Sequence, residues 1–123
     1  MNIPTRIVAS RQHPEPAGTK RVCRPSKFGN NNKIIKVAKD FYIINFPENN
    51  GTAEWLSIAA AHQRAVEFYA IDMIDLLYEN PAYYDELFEY KHLACFCPLE
   101  LPCHVDAIIV HLTRRAVVVE AGA

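Results

Sequence analysis

Three cysteines, a histidine and an aspartate crowd into residues 95–106: Cys95, Cys97, Cys103, His104 and Asp106. Thiols beside an imidazole suggest two chemistries. A thiolate is a nucleophile, and a neighbouring imidazole can take or give its proton. For that work the candidates are Cys103 as nucleophile, with Cys97 as its alternative, and His104 or Asp106 as acid or base. The other chemistry is metal binding, because cysteine and histidine are the usual ligands of zinc. Cys95, Cys97, Cys103 and His104 would then be the ligand set. Their C-x-C and C-H spacing is not the paired C-x-x-C of zinc knuckles; Cys95 reads as plain core, and Cys97 reads equally well as core or site.

A second group lies early in the chain. Arg24, Ser26, Lys27 and Asn30 combine two cations with a hydroxyl and an amide around the flexible Gly29. Such a set can hold phosphate or carboxylate. The glycine spacing of a P-loop is missing, and an ordinary solvated basic loop is the competing reading. His62 falls on an apolar stripe and reads as an interior histidine. His92 and His111 read as element-end or surface residues.

The elements that must position these groups follow from periodicity and punctuation. Residues 5–10 and 20–23 read as short strands, separated by a loop with Pro14, Pro16 and Gly18. Residues 33–38 and 41–46 are rich in β-branched and aromatic side chains and form a hairpin around Lys39-Asp40. Thr52 and Glu54 start a helix whose apolar stripe, from Trp55 through Met73, runs to about Tyr78 and is largely buried. Asn80-Pro81 stops it and opens a short second helix over 81–90, with Tyr84, Leu87 and Phe88 inside. Residues 91–97 read as a central strand, and a third helix starts at Cys103 and ends at Arg114-Arg115. Residues 114–123 remain as a tail or edge strand.

These elements predict an α/β fold: a single small domain over 1–123, a mixed sheet with helices packed on it, and a C-terminal strand–turn–helix carrying the Cys/His motif. Chain length and an apolar half of the composition suit one buried core. No apolar run reaches about 18 residues, so no membrane span or membrane partner is expected. The first residues carry no apolar leader, which points to a cytoplasmic protein with reduced thiols. The net charge of −1 conceals a split: residues 1–45 hold nine Lys or Arg against two acids, and residues 46–123 hold four against twelve. The acidic helix faces (Glu67, Asp72, Asp75, Glu79, Asp85, Glu86, Glu89) are a candidate surface for a protein partner, or simply solvated.

Two segments also resemble a known family. Arg24-Pro25-Ser26-Lys27-Phe28-Gly29-Asn30, then Leu93 to Pro98 and Pro102-Cys103-His104-Val105-Asp106, are similar to domain-of-unknown-function family 4326. Its usual pattern is R-P-S-K-[WF]-G-N-P, a helical middle, L-x-C-[WF]-C-x-P and P-C-H-[GA]-D. The resemblance covers roughly residues 5–113. Asn31 replaces the usual proline, Val105 replaces a small residue, and 31–51 is longer than usual, a hairpin insertion. The resemblance implies a small protein of bacteria or phages, acting in the host cytoplasm if phage-encoded. It also implies a polar cleft, with Arg24, Ser26, Lys27 and Asn30 facing Cys97, Cys103, His104 and Asp106. The function expected there is binding, with hydrolysis or transfer if it is an enzyme, of a nucleotide, nucleoside or nucleic-acid phosphate. The alternative is a non-catalytic module, stabilised by zinc or engaging a host protein.

Overall fold

The structure is a computed structural model that describes residues 2–45 and 56–122. Five strands and two long helices follow in the order β1 (Thr5–Val8), β2 (Thr19–Arg21), β3 (Lys33–Ala38), β4 (Phe41–Asn45), α1 (Ile58–Glu79), β5 (His92–Cys95) and α2 (His104–Glu120). The α/β expectation holds, with parallel and antiparallel strands kept in separate sheets. β1 and β2 both pair parallel with β5, giving the order β1-β5-β2, and β3 pairs antiparallel with β4.

The central strand is the least polar because it is covered on both faces. Leu93, Ala94 and Cys95 are all buried. Val22 extends the β2 ladder by one bond, its N–H donating to Ala94 O at 3.0 Å. The main core joins Val22, Phe28, Tyr69, Met73, Tyr84, Leu87, Leu93, Val105, Ile108 and Leu112. A second cluster of Ile44, Leu56, Ala61 and Ala65 seats the hairpin on α1. The hairpin turns at Lys39-Asp40 as expected, and Asp40 adopts φ 63°, a left-handed conformation that aspartate tolerates.

Four expectations are corrected. Thr52, Glu54 and Trp55, with Phe46 and the 47–51 loop, lie outside the described residues, but α1 begins only at Ile58. Its cap is Ser57, whose Oγ accepts from Ala60 N at 3.2 Å. Leu56 cannot be helical, because its N–H and C=O are both spent on Tyr42 in an antiparallel bridge. Nor is α1 largely buried: Ala61, Ala65, Tyr69 and Met73 face inward, whereas Ile71, Ile74 and Tyr78 are exposed. Segment 81–90 is a turn followed by a 3-10 helix over Asp85–Glu89, with Tyr84 and Leu87 buried. Residues 114–120 are neither tail nor edge strand: they continue α2, which packs Ala116 inward. Three successive valines favour a strand locally, but the helix register set by Val105, Ile108 and Leu112 overrides that preference.

Candidate functional site

The site begins where β5 ends. Strand, turn and helix bring Cys95, Cys103 and His104 together, all buried, with a sulfur or nitrogen atom of each within 4.8 Å of the others. Cys97 lies outside that mutually close group but touches its edge, its Sγ 3.9 Å from Cys95 Sγ. Cys103 Sγ lies 3.6 Å from His104 Nδ1. His104 Nε2 is 2.7 Å from Val22 O. A carbonyl only accepts, so Nε2 carries the proton and the Nδ1 lone pair points towards the sulfurs. Metal-binding histidines are commonly oriented in this way, by a backbone carbonyl on the far nitrogen.

All four cysteines are free thiols. Cys103 and Cys97, followed by His104, face Cys95 as donors and hold its thiol well below the usual range. Cys97 is pushed up to about 11: Cys103 pulls it down, but the neighbouring Cys95 and burial outweigh that. Cys103 is raised by Cys95, Cys97 and burial.

The turn between Cys97 and Cys103 is held by Arg6. Its Nη2 donates to Pro98 O at 2.6 Å and to Leu101 O at 2.8 Å. Asp106 belongs to the same scaffold: it accepts from Arg6 Nη1, and its Oδ2 accepts the Cys103 N–H at 3.1 Å. That is helix capping, with an acid in the first turn where the helix dipole favours it.

An open pocket of about 600 Å³ lies against the cysteine cluster. Arg24 and Asn30 line it together with Cys97, Cys103 and His104, so part of the basic loop shares a pocket with the Cys–His segment. Ser26, Lys27 and Asp106 are not in the lining. Lys27 turns away to Glu86 at 2.8 Å and lies over the Phe28 and Tyr83 rings. Ser26 Oγ accepts from Phe28 N at 3.2 Å and shapes the loop. Asn30 uses its amide internally, donating to Ala65 O and accepting from Asn32. Arg24 Nη1 donates to Asn30 O at 2.5 Å, which ties its guanidinium to the end of the loop. Gly29 is required here, because a Cβ would come within 2.7 Å of Arg24 N.

Several lining residues escape a reading by motif: Arg11, Cys23, Asn32 and Lys36. Lys36 alone carried a usable signal, the alternation of β3 with Ile34. His62 also lines the pocket. It is only half-buried, and its Nδ1–H donates to Pro102 O at 3.1 Å. His111 is not a surface residue: it is half-buried against Tyr84, and its Nε2 is buried without a partner. Of the acidic helix face, Asp85 pairs with Arg115, Glu86 with Lys27, and Asp72 with the Asn32 amide.

Among the described residues no helix is long and apolar enough to cross a membrane. No curated protein and no solved structure matches the chain. A family model described as Domain of unknown function (DUF4326) matches residues 6–114, a span that holds the basic loop, the pocket and the whole Cys–His segment, and the chain belongs to that family.

Proposed function

We propose that this domain binds a phosphate-bearing ligand of the nucleotide kind (a nucleotide or a nucleic-acid phosphate) in the pocket between the Arg24 loop and the start of α2. The observation that carries the reading is the lining. Arg24, Arg11 and Lys36 bring positive charge to one concavity, beside the aromatic Tyr42 and Phe96, and no Asp or Glu is among its described lining residues. Cations facing a concave surface of low polarity concentrate anions there. Aromatic and aliphatic walls with a few charged groups also suit a flat organic ligand. A thermal-shift screen of nucleosides and nucleotides tests this. Phosphate-bearing members are expected to raise the melting temperature of the wild type and not of Arg24→Ala. A screen with no stabilising nucleotide sinks it.

A second reading rests on a separate observation and concerns the wall itself: Cys95, Cys97, Cys103 and His104 hold zinc. A tetrahedral ion with Zn–S and Zn–N bonds of ordinary length sets ligand atoms about 3.8 Å apart for two sulfurs and about 3.5 Å for sulfur and nitrogen. The Cys95–Cys97 and Cys103–His104 distances of 3.9 and 3.6 Å fit one edge of each kind, and Cys95, Cys103 and His104 hold their donor atoms within 4.8 Å of one another, a group from which Cys97 is absent. With Cys97 drawn in as the fourth ligand, the centre is closed and structural rather than catalytic. Such an ion ties β5, the turn and α2 together behind the pocket. Elemental analysis of protein purified without added metal decides: about one zinc per chain, with unfolding on chelation, is expected. A metal-free, fully folded protein ends this reading and leaves the pocket reading in place.

A further inference from the structure

The hairpin that the sequence sets apart as an insertion is a wall of the pocket. Along β3, half-buried Ile34 and exposed Lys36 line the cavity, while Ile35 and Val37, the alternate residues, are not in its lining. Tyr42 stands opposite Lys36 in the antiparallel register. Cross-strand partners share a face, so Lys36 and Tyr42 enter the pocket as a pair. Arg11, three residues after β1, also lines the pocket, with its guanidinium carbon 5.5 Å from the centre of the Phe96 ring. Arg11 and Lys36 have no ion-pair partner among the described residues. Three cations that line one open cavity favour an anion there, and a ligand with several charges can engage all three where a monoanion cannot.

We propose that Arg11, Arg24 and Lys36 form a single clamp for an oligophosphate, so that the ligand is a nucleoside di- or triphosphate rather than a nucleoside or a monophosphate. The inference rests on the pocket reading above and adds the charge of the ligand. The hairpin, through Lys36 and Tyr42, is then the part of the chain that selects it. Lys and Arg suit this work because they stay charged and donate several hydrogen bonds to phosphate oxygens.

The test is calorimetric titration of the full chain at one ionic strength. The probes are adenosine and uridine, their mono-, di- and triphosphates, free tripolyphosphate and a short single-stranded oligonucleotide. Affinity is expected to rise about tenfold with each added phosphate, the size of one charge-assisted hydrogen bond. Lys36→Ala and Arg11→Ala are each expected to lower triphosphate affinity about tenfold and monophosphate affinity less than about twofold. Lys36→Glu deepens the loss, and the unliganded melting temperature of all three variants stays near that of the wild type. Free tripolyphosphate binding as tightly as a nucleoside triphosphate also supports the clamp and assigns the affinity to the phosphates alone. Equal affinity for mono- and triphosphate, or variants that bind like the wild type, overturns the clamp while the nucleotide pocket stands. An oligonucleotide that outcompetes the triphosphate overturns it in favour of a strand-binding surface. If no phosphate compound binds, the pocket reading fails and the clamp fails with it.

Discussion

Arg6 and Asp106 are a hundred positions apart in the chain, and Arg6 Nη1 donates to both carboxylate oxygens of Asp106, at 3.2 and 2.9 Å. The contact joins the first strand to the first turn of the last helix. Asp106 therefore anchors the segment that presents Cys103 and His104. Its replacement by alanine removes the Arg6 partner and the acceptor for the Cys103 N–H together. We expect Asp106→Ala to cost about 1–3 kcal/mol of stability in denaturant unfolding. Asp106→Asn, which keeps an acceptor, should cost less. Equal losses in the two variants would contradict this role.

The cysteine cluster makes a spectroscopic prediction. Cobalt(II) in place of zinc should give the intense visible absorption of a tetrahedral site rich in thiolates. Replacing Cys103 or His104 with alanine should abolish that band, and Cys97→Ser should change its shape, because a thiolate leaves the coordination sphere. A band untouched by Cys97→Ser would remove Cys97 from the ligand set.

Arg24 and Lys27 are neighbours in the basic motif but differ in place. Arg24 lines the pocket, whereas Lys27 pairs with Glu86 on the surface. Arg24→Ala is expected to lower nucleotide affinity about tenfold or more. Lys27→Ala should leave affinity within about twofold and change stability by less than about 1 kcal/mol, as exposed ion pairs do. The reverse ranking in a binding titration would refute the assignment.

Gly29 gives a steric test of the same loop. An added Cβ would meet backbone atoms of Arg24 at 2.7 and 2.9 Å, so the loop must move. Gly29→Ala is expected to cost about 1–3 kcal/mol and to weaken nucleotide binding through displaced Arg24. Thermal unfolding and titration together read both effects.

His111 predicts an acid dependence of stability. Burial holds its pKa below the ordinary 6.5, the nearby Asp85 opposes that shift, and Arg115 adds to it. The folded state thus favours the neutral ring more than the unfolded chain does. The stability tied to His111 is complete above about pH 6.5 and is lost as the pH falls through the lowered folded value. Unfolding experiments from pH 7 to 5 should show a decline that His111→Phe reduces. An identical decline in that variant would assign it to other groups.

The elements that carry the site were legible because their signals are local. Leu93-Ala94-Cys95 is apolar without alternation, which marks a central strand, and Cys103 precedes a helix with its acid in the first turn. The hairpin also followed from composition and its turn, whereas a cleft between Arg24 and the Cys–His segment was what the family resemblance implied and not something that spacing showed. The start of α1 did not, because Leu56 is claimed by a backbone bridge to Tyr42 that no periodicity records. The last turns of α2 did not either, since core packing overrides the strand preference of three valines.

What sequence alone determined, then, is the chemical inventory and the local elements that carry it: three thiols and an imidazole around one strand–turn–helix, and a basic loop ahead of them. Tertiary structure decided which of those groups share a space. It sent Lys27 to Glu86, committed Asn30 and Asp106 to the scaffold, and brought Arg11 and Lys36 into the pocket from segments with no motif at all. The physical reason is range. Helix caps, turns and strand alternation act over a few residues, whereas the pocket is closed by contacts between strands and loops far apart in the chain, whose positions depend on the packed core as a whole.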